Sequence, residues 1–189
     1  MTMKKLLLSS AIGVYALLSA GSAQALLLNA SGTIEFHNEV DVYTGTLTDD
    51  VFNVRIWTDS FLNAFNFDPI IALWDSSGNL VFQNDDNPTI DPGTQTYYDS
   101  GIYIPTLAPG DYTFTITSFN NFANGTNLSD GFLYDSETPI PIETWTNGSQ
   151  SFYNVWFEAS PVPEPATMTL LGIGLGGLML RNSRKRRAS

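Results

Sequence analysis

Residues 111–119 read DYTFTITSF, and this stretch decides the fold. Tyr112, Phe114, Ile116 and Ser118 fall on one side of an extended chain, and Thr113, Thr115 and Thr117 on the other. Successive side chains of a strand point to opposite faces, so the alternation reads as a half-buried β-strand. The same enrichment in β-branched and aromatic residues marks GTIEF (32–36), VDVYTGTL (40–47), VFNVRIW (51–57), IIALW (70–74), LVFQ (80–83), GIYIP (101–105) and SFYNVWFEA (151–159). Between them lie SSGN, NDDNP, DPG, APGD and NNFANGTN, rich in residues that accept positive φ or preset a turn. No helical period runs through this region. Short strands at such spacing predict an all-β fold, an antiparallel two-sheet sandwich of jelly-roll-like form. Residues 122–150 are turn-rich and predict a surface excursion without regular strands.

The two ends of the 189-residue chain have a different texture. A basic start, MTMKK, precedes the apolar LLLSSAIGVYALLSA, and Ala23-Gln24-Ala25 supplies a small-x-small cleavage site. That is the pattern of a signal peptide over residues 1–25, with an N-terminal signal helix, read by the Sec machinery and signal peptidase. Residues 26–160 form the predicted β-sandwich body. Residues 161–189 form a tail in which the prolines of Ser160-Pro161-Val162-Pro163-Glu164-Pro165 make a stiff extended spacer. From Ala166 to Leu180 no residue carries a charge, and Arg181, Arg184, Lys185, Arg186 and Arg187 follow. The expectation is a C-terminal hydrophobic, transmembrane helix. It would hold the protein transiently in the inner membrane with its cations on the cytoplasmic side.

Pro163-Glu164-Pro165, the apolar segment and the arginine-rich end together resemble the PEP-CTERM sorting signal of bacterial surface proteins. The resemblance implies that an exosortase, a membrane transpeptidase, recognises Pro163, Glu164 and Pro165. It further implies that the protein is released to the envelope or exterior, in or near the exopolysaccharide matrix. Gly172, Gly174 and Gly177 also satisfy a dinucleotide-binding spacing, but no strand precedes them, and that reading is set aside.

Charge limits the partners of the body. Residues 26–160 hold 18 carboxylates and one cation, Arg55, for a net charge of −17. Such a field repels nucleic acid and anionic lipid. The chain has no cysteine, which excludes disulfides, thiolate zinc sites and a thiol nucleophile.

The acidic residues concentrate where metal chemistry is conceivable. Asp68 precedes a strand, Asp85 and Asp86 end the next one, and Asp99 opens a third. A hard cation such as Ca²⁺ takes six to eight oxygens, which Asp and Asn in a loop supply. Turn-forming and capping roles for the same residues are the other account. The run Asp68-Pro69, Leu73-Trp74-Asp75, Gly78-Asn79-Leu80, Asn84-Asp85-Asp86, Asp99-Ser100 and Leu107-Ala108-Pro109-Gly110-Asp111-Tyr112 is similar to bacterial pre-peptidase C-terminal domains. That resemblance implies a β-sandwich, calcium in some members, and an accessory place in a secreted hydrolase system.

A serine-type triad would need His37, the only histidine, which sits beside a turn. Paired carboxylates can always be chosen from 18 acids and carry little information. Trp57, Trp74, Trp145, Trp156, Tyr97 and Tyr98 are the aromatics from which a sugar-stacking platform could be built. Trp74 belongs to an apolar run, whereas Trp145 lies in the excursion and is the candidate ligand-binding residue. The sequence therefore predicts a non-enzymatic, exported surface module with a structural or adhesive role. A carbohydrate-binding module is the alternative.

Overall fold

The computed structural model describes residues 26–61, 66–146 and 151–160. Eight strands run β1 (Leu26–Thr33), β2 (Val40–Leu47), β3 (Val51–Thr58), β4 (Pro69–Trp74), β5 (Leu80–Asn84), β6 (Gly101–Leu107), β7 (Gly110–Ser118) and β8 (Phe152–Ser160). They form two four-stranded sheets ordered β1-β8-β3-β6 and β2-β7-β4-β5. All strand pairs within the sheets are antiparallel. This is the strand order of a jelly roll, two Greek keys folded face to face.

The alternation in β7 turns into packing. Ile116 is fully buried between the sheets, and Tyr112 and Phe114 pack against the same core. Ile34, Val54, Ile56, Phe67, Ile71, Leu73, Ile102, Tyr153 and Val155 supply most of the rest of it. Strand β4 is buried along its whole length. Its Ile71 and Leu73 face the inter-sheet core. Its Ala72 and Trp74 face outward, where Phe132 of the excursion covers them. Trp74 Nε1 donates to Thr115 Oγ1 across this second layer at 3.0 Å. That cover explains why the outward-facing Thr115 and Thr117 are buried. Among its described residues the excursion holds a 3₁₀ turn (Leu128–Asp130) and one α-helical turn, α1 (Ile142–Trp145), as regular helix.

Two expectations are corrected here. The signal helix and the C-terminal hydrophobic helix fall on residues 1–25 and 161–189, outside the described residues. Among the described residues no helix is long and apolar enough to cross a membrane. Among the described residues the fold is an all-β sandwich, and the transmembrane helix is withdrawn. The physical reason is one of length. Fifteen uncharged residues make about 22 Å of helix at about 1.5 Å per residue, short of a hydrocarbon core about 30 Å thick.

The register fixes which loops share an end of the sandwich. Leu26 pairs with Ala159, and Phe52 with Ser160, so the described segment begins and ends at one pole. Trp57 pairs with Gly101, and Pro69 with Ser118, at the other. The acidic loops after β3, before β4 and between β5 and β6 therefore gather at the pole remote from residues 26 and 160.

Candidate metal centre

Antiparallel pairing of β4 with β5 sets Ile71 opposite Asn84, which brings the start of one strand beside the end of the other. Asp68 thereby meets Asp85 and Asp86. Each offers a carboxylate oxygen, and these oxygens lie within 4.8 Å of one another. Oxygens bound to one cation at about 2.4 Å can stand at most about 4.8 Å apart, so the spacing fits a single ion.

The pole is tightened by polar bonds that the sheet ladders do not supply. Gly101 N–H donates to Asn84 Oδ1 at 2.8 Å, and Asn87 N–H to the Asp99 carbonyl at 2.9 Å. The carbonyl oxygens of Pro69 (2.6 Å), Asn84 (3.0 Å) and Asp85 converge on the Ser100 hydroxyl. A hydroxyl has one proton to give, so oxygen lone pairs outnumber donors here.

The carboxylates show the same deficit. Asp68 Oδ1 and Asp85 Oδ1 are buried and have no hydrogen-bond partner. Desolvation first, then repulsion from Asp85, Asp86 and Asp99, pushes the Asp68 carboxyl up to about 7. Desolvation and Asp86 push Asp85 up to about 6. Asp86, the exposed member, is also raised, by desolvation and then by Asp99. Buried oxygens that lack donors take up either protons or a cation. The body's one arginine is occupied elsewhere. Arg55 Nη1 donates to Glu158 Oε2 at 2.6 Å, Nη2 reaches the Ile90 carbonyl, and Asp91 lies 3.8 Å away. The residues present fit a divalent ion: an all-oxygen donor set, negatively charged, with two orphaned atoms.

Asp99 stands apart from the three. It is fully buried, and its carboxylate accepts five hydrogen bonds. Oδ1 takes Thr58 Oγ1 (3.1 Å), Ser60 N–H (2.7 Å) and Phe61 N–H (3.2 Å). Oδ2 takes Thr96 N–H (2.7 Å) and Thr96 Oγ1 (2.9 Å). Saturated in this way, it ties the end of β3 to the loop before β6. Sequence reasoning found the acidic cluster but missed Ser100 and the Asp99 donors. The three on Oδ1 lie 38 to 41 residues away in the chain, where no local pattern marks them, and only Thr96 is a sequence neighbour.

The expected sugar-stacking and catalytic residues are also placed. His37 is buried, accepts the Ile140 N–H on Nδ1 at 3.1 Å and donates from Nε2 to Glu137 Oε2 at 3.1 Å. Trp145 packs on it with ring centroids 4.4 Å apart, and Tyr134 lies 5.2 Å from the same ring. Trp145 is 37% exposed, with His37 against its ring. Trp57 is buried; it stacks near Trp156 at 6.1 Å beneath the guanidinium of Arg55. Pro163, Glu164 and Pro165, with Ala23 and Ala25, lie outside the described residues.

Comparison with protein families decides what the tail is: residues 161–186 match the PEP-CTERM protein-sorting motif. The chain carries a PEP-CTERM sorting motif. Such a motif implies interaction with an export and exosortase pathway and an eventual location at the cell envelope or the exterior. No curated protein matches the chain. Among solved structures it is similar to the pre-peptidase C-terminal domain of a collagenase from Bacillus anthracis, at 15% identity and a TM-score of 0.40. The match covers 69% of this chain and 87% of that one. The two are too divergent for residue roles to be carried across.

Proposed function

We propose that this chain is an exported, non-enzymatic β-sandwich module with a structural or adhesive role in the exopolysaccharide matrix outside the cell. Residues 1–25 act as the signal peptide, cut after Ala25. Residues 26–160 are the working body, and 161–189 the sorting segment, in which Pro163, Glu164 and Pro165 are what the exosortase recognises. The observation that carries this reading is the PEP-CTERM match over residues 161–186. Two further facts support a non-enzymatic body. The chain has no cysteine, and its single histidine has both ring nitrogens engaged in holding the excursion.

The acidic pole is proposed to bind calcium through Asp68, Asp85 and Asp86. Oxygen-only donors of this charge suit a hard cation, and Ca²⁺ tolerates the irregular geometry that loops provide. The ion would neutralise carboxylates that otherwise repel one another, fixing the loops before β4 and after β5.

Mass spectrometry of the protein recovered outside the cell tests the sorting route. The expected product begins at Leu26 and lacks Arg181 to Arg187, and Glu164→Ala accumulates with the basic end attached. Recovery of the untrimmed chain as the mature extracellular species would overturn it.

A further inference from the structure

Among the described residues the most exposed aromatic is Tyr97, at the acidic pole, and not Trp145 of the excursion. Tyr97 is 70% exposed and Tyr98 42%. Phe61 lies 4.6 Å from Tyr98, and Tyr97 stands 5.3 Å from Tyr98 at an interplanar angle of 89°. Two backbone segments present these rings, and both hang on one buried carboxylate. Asp99 accepts the Phe61 N–H on one oxygen and the Thr96 N–H on the other. Its own N–H closes the turn onto the Thr96 carbonyl at 3.1 Å. A backbone anchored at both segments reduces the freedom that the site loses when a ligand arrives.

We propose that the Phe61–Tyr98–Tyr97 cluster is a binding site for a neutral, pyranose-based polysaccharide chain. This rests on the reading of the body as a matrix module and names its ligand. Three observations select that chemistry. The net charge of −17 on residues 26–160 disfavours anionic glycans, nucleic acid and acidic lipid. Three rings cover far less than the roughly 800 Å² per partner of a stable protein interface, but suffice for one or two sugar rings. Tyr97 and Tyr98 present faces nearly at right angles, which matches successive residues of a twisted, soluble chain and not a flat crystalline surface.

Affinity electrophoresis of the purified protein through gels containing soluble glucans, mannans, galactans or xylans tests this, with alginate as the anionic control. At least one neutral polysaccharide is expected to retard the protein. Tyr97→Ala is expected to weaken that retardation about tenfold, while Tyr97→Phe, which keeps the ring, retains it. Mobility unchanged in every neutral gel would overturn the proposal. So would retardation that survives both Tyr97→Ala and Tyr98→Ala, retardation lost only on Trp145→Ala, or stronger retardation by alginate. Circular dichroism confirms that each variant is folded, and Tyr98→Leu provides a second ring deletion should one alanine variant fail. A correctly trimmed extracellular protein that ignores all neutral polysaccharides would refute this site alone, leaving the sorting reading intact.

Discussion

Replacing Asp99 by asparagine removes one charge and turns one acceptor oxygen into an amide donor, with almost no change of volume. The carboxylate is fully buried and takes five hydrogen bonds from Thr58, Ser60, Phe61 and Thr96. Whichever way the new amide turns, its NH₂ faces backbone N–H donors, those of Ser60 and Phe61 or that of Thr96. At least one buried donor then loses its acceptor, which costs about 1–3 kcal/mol, and the remaining bonds lose their charge assistance. The contributions are not additive, so a total of about 3–4 kcal/mol is expected, a large share of a stability of roughly 5–15 kcal/mol. Urea denaturation followed by tryptophan fluorescence measures it, the midpoint falling while the slope is preserved. A loss below about 1 kcal/mol would refute the argument that Asp99 is a buried tie. So would a variant of unchanged stability that has lost calcium binding, because that would make Asp99 a ligand.

Three further outcomes follow from the same geometry. Calcium at about one hundred times its dissociation constant should stabilise the protein by about 2.7 kcal/mol, and Asp85→Ala combined with Asp86→Ala should abolish the rise in Tm; superimposable melting curves with calcium and with chelator would refute the site. In chelator, the contribution of Asp68 and Asp85 to stability should be fully present below about pH 4 and fall as pH rises through about 6 and 7, because their folded-state values lie above the unfolded one; after allowance for solvent screening the loss is on the order of 2 kcal/mol, and a pH profile that Asp68→Asn combined with Asp85→Asn leaves unchanged would contradict it. Arg55→Met should cost about 1–2 kcal/mol by releasing the Glu158 pair and the Ile90 carbonyl; equilibrium denaturation checks it, and an unchanged midpoint would show that the loop between β5 and β6 does not depend on this clamp.

The calcium and Asp99 experiments also separate two accounts that the sequence left open. From residue types alone, Asp68, Asp85, Asp86 and Asp99 were equivalent: each an aspartate at a strand boundary. The fold divides them. Asp68 and Asp85 have orphaned oxygens, whereas the Asp99 carboxylate already accepts five hydrogen bonds. The aromatics divide similarly, since Trp57 and Trp74 are buried and Tyr97 is left in solvent.

By itself the sequence placed the first strand at residues 32–36, whereas β1 is Leu26–Thr33. It determined the other seven of the eight strands, the turn chemistry between them, the strongly acidic charge of the body, and the tail motif. These are short-range properties, written in the period-two alternation of DYTFTITSF and in Pro-Glu-Pro, and a chain can be read for them a few residues at a time. Only the tertiary structure decided that β8 lies between β1 and β3, and that one acidic pole gathers three carboxylates beside exposed tyrosines. The same holds for the role of Asp99. Hydrogen-bond donors some forty residues distant settle it, and what a polar side chain does depends on the groups that reach it through space.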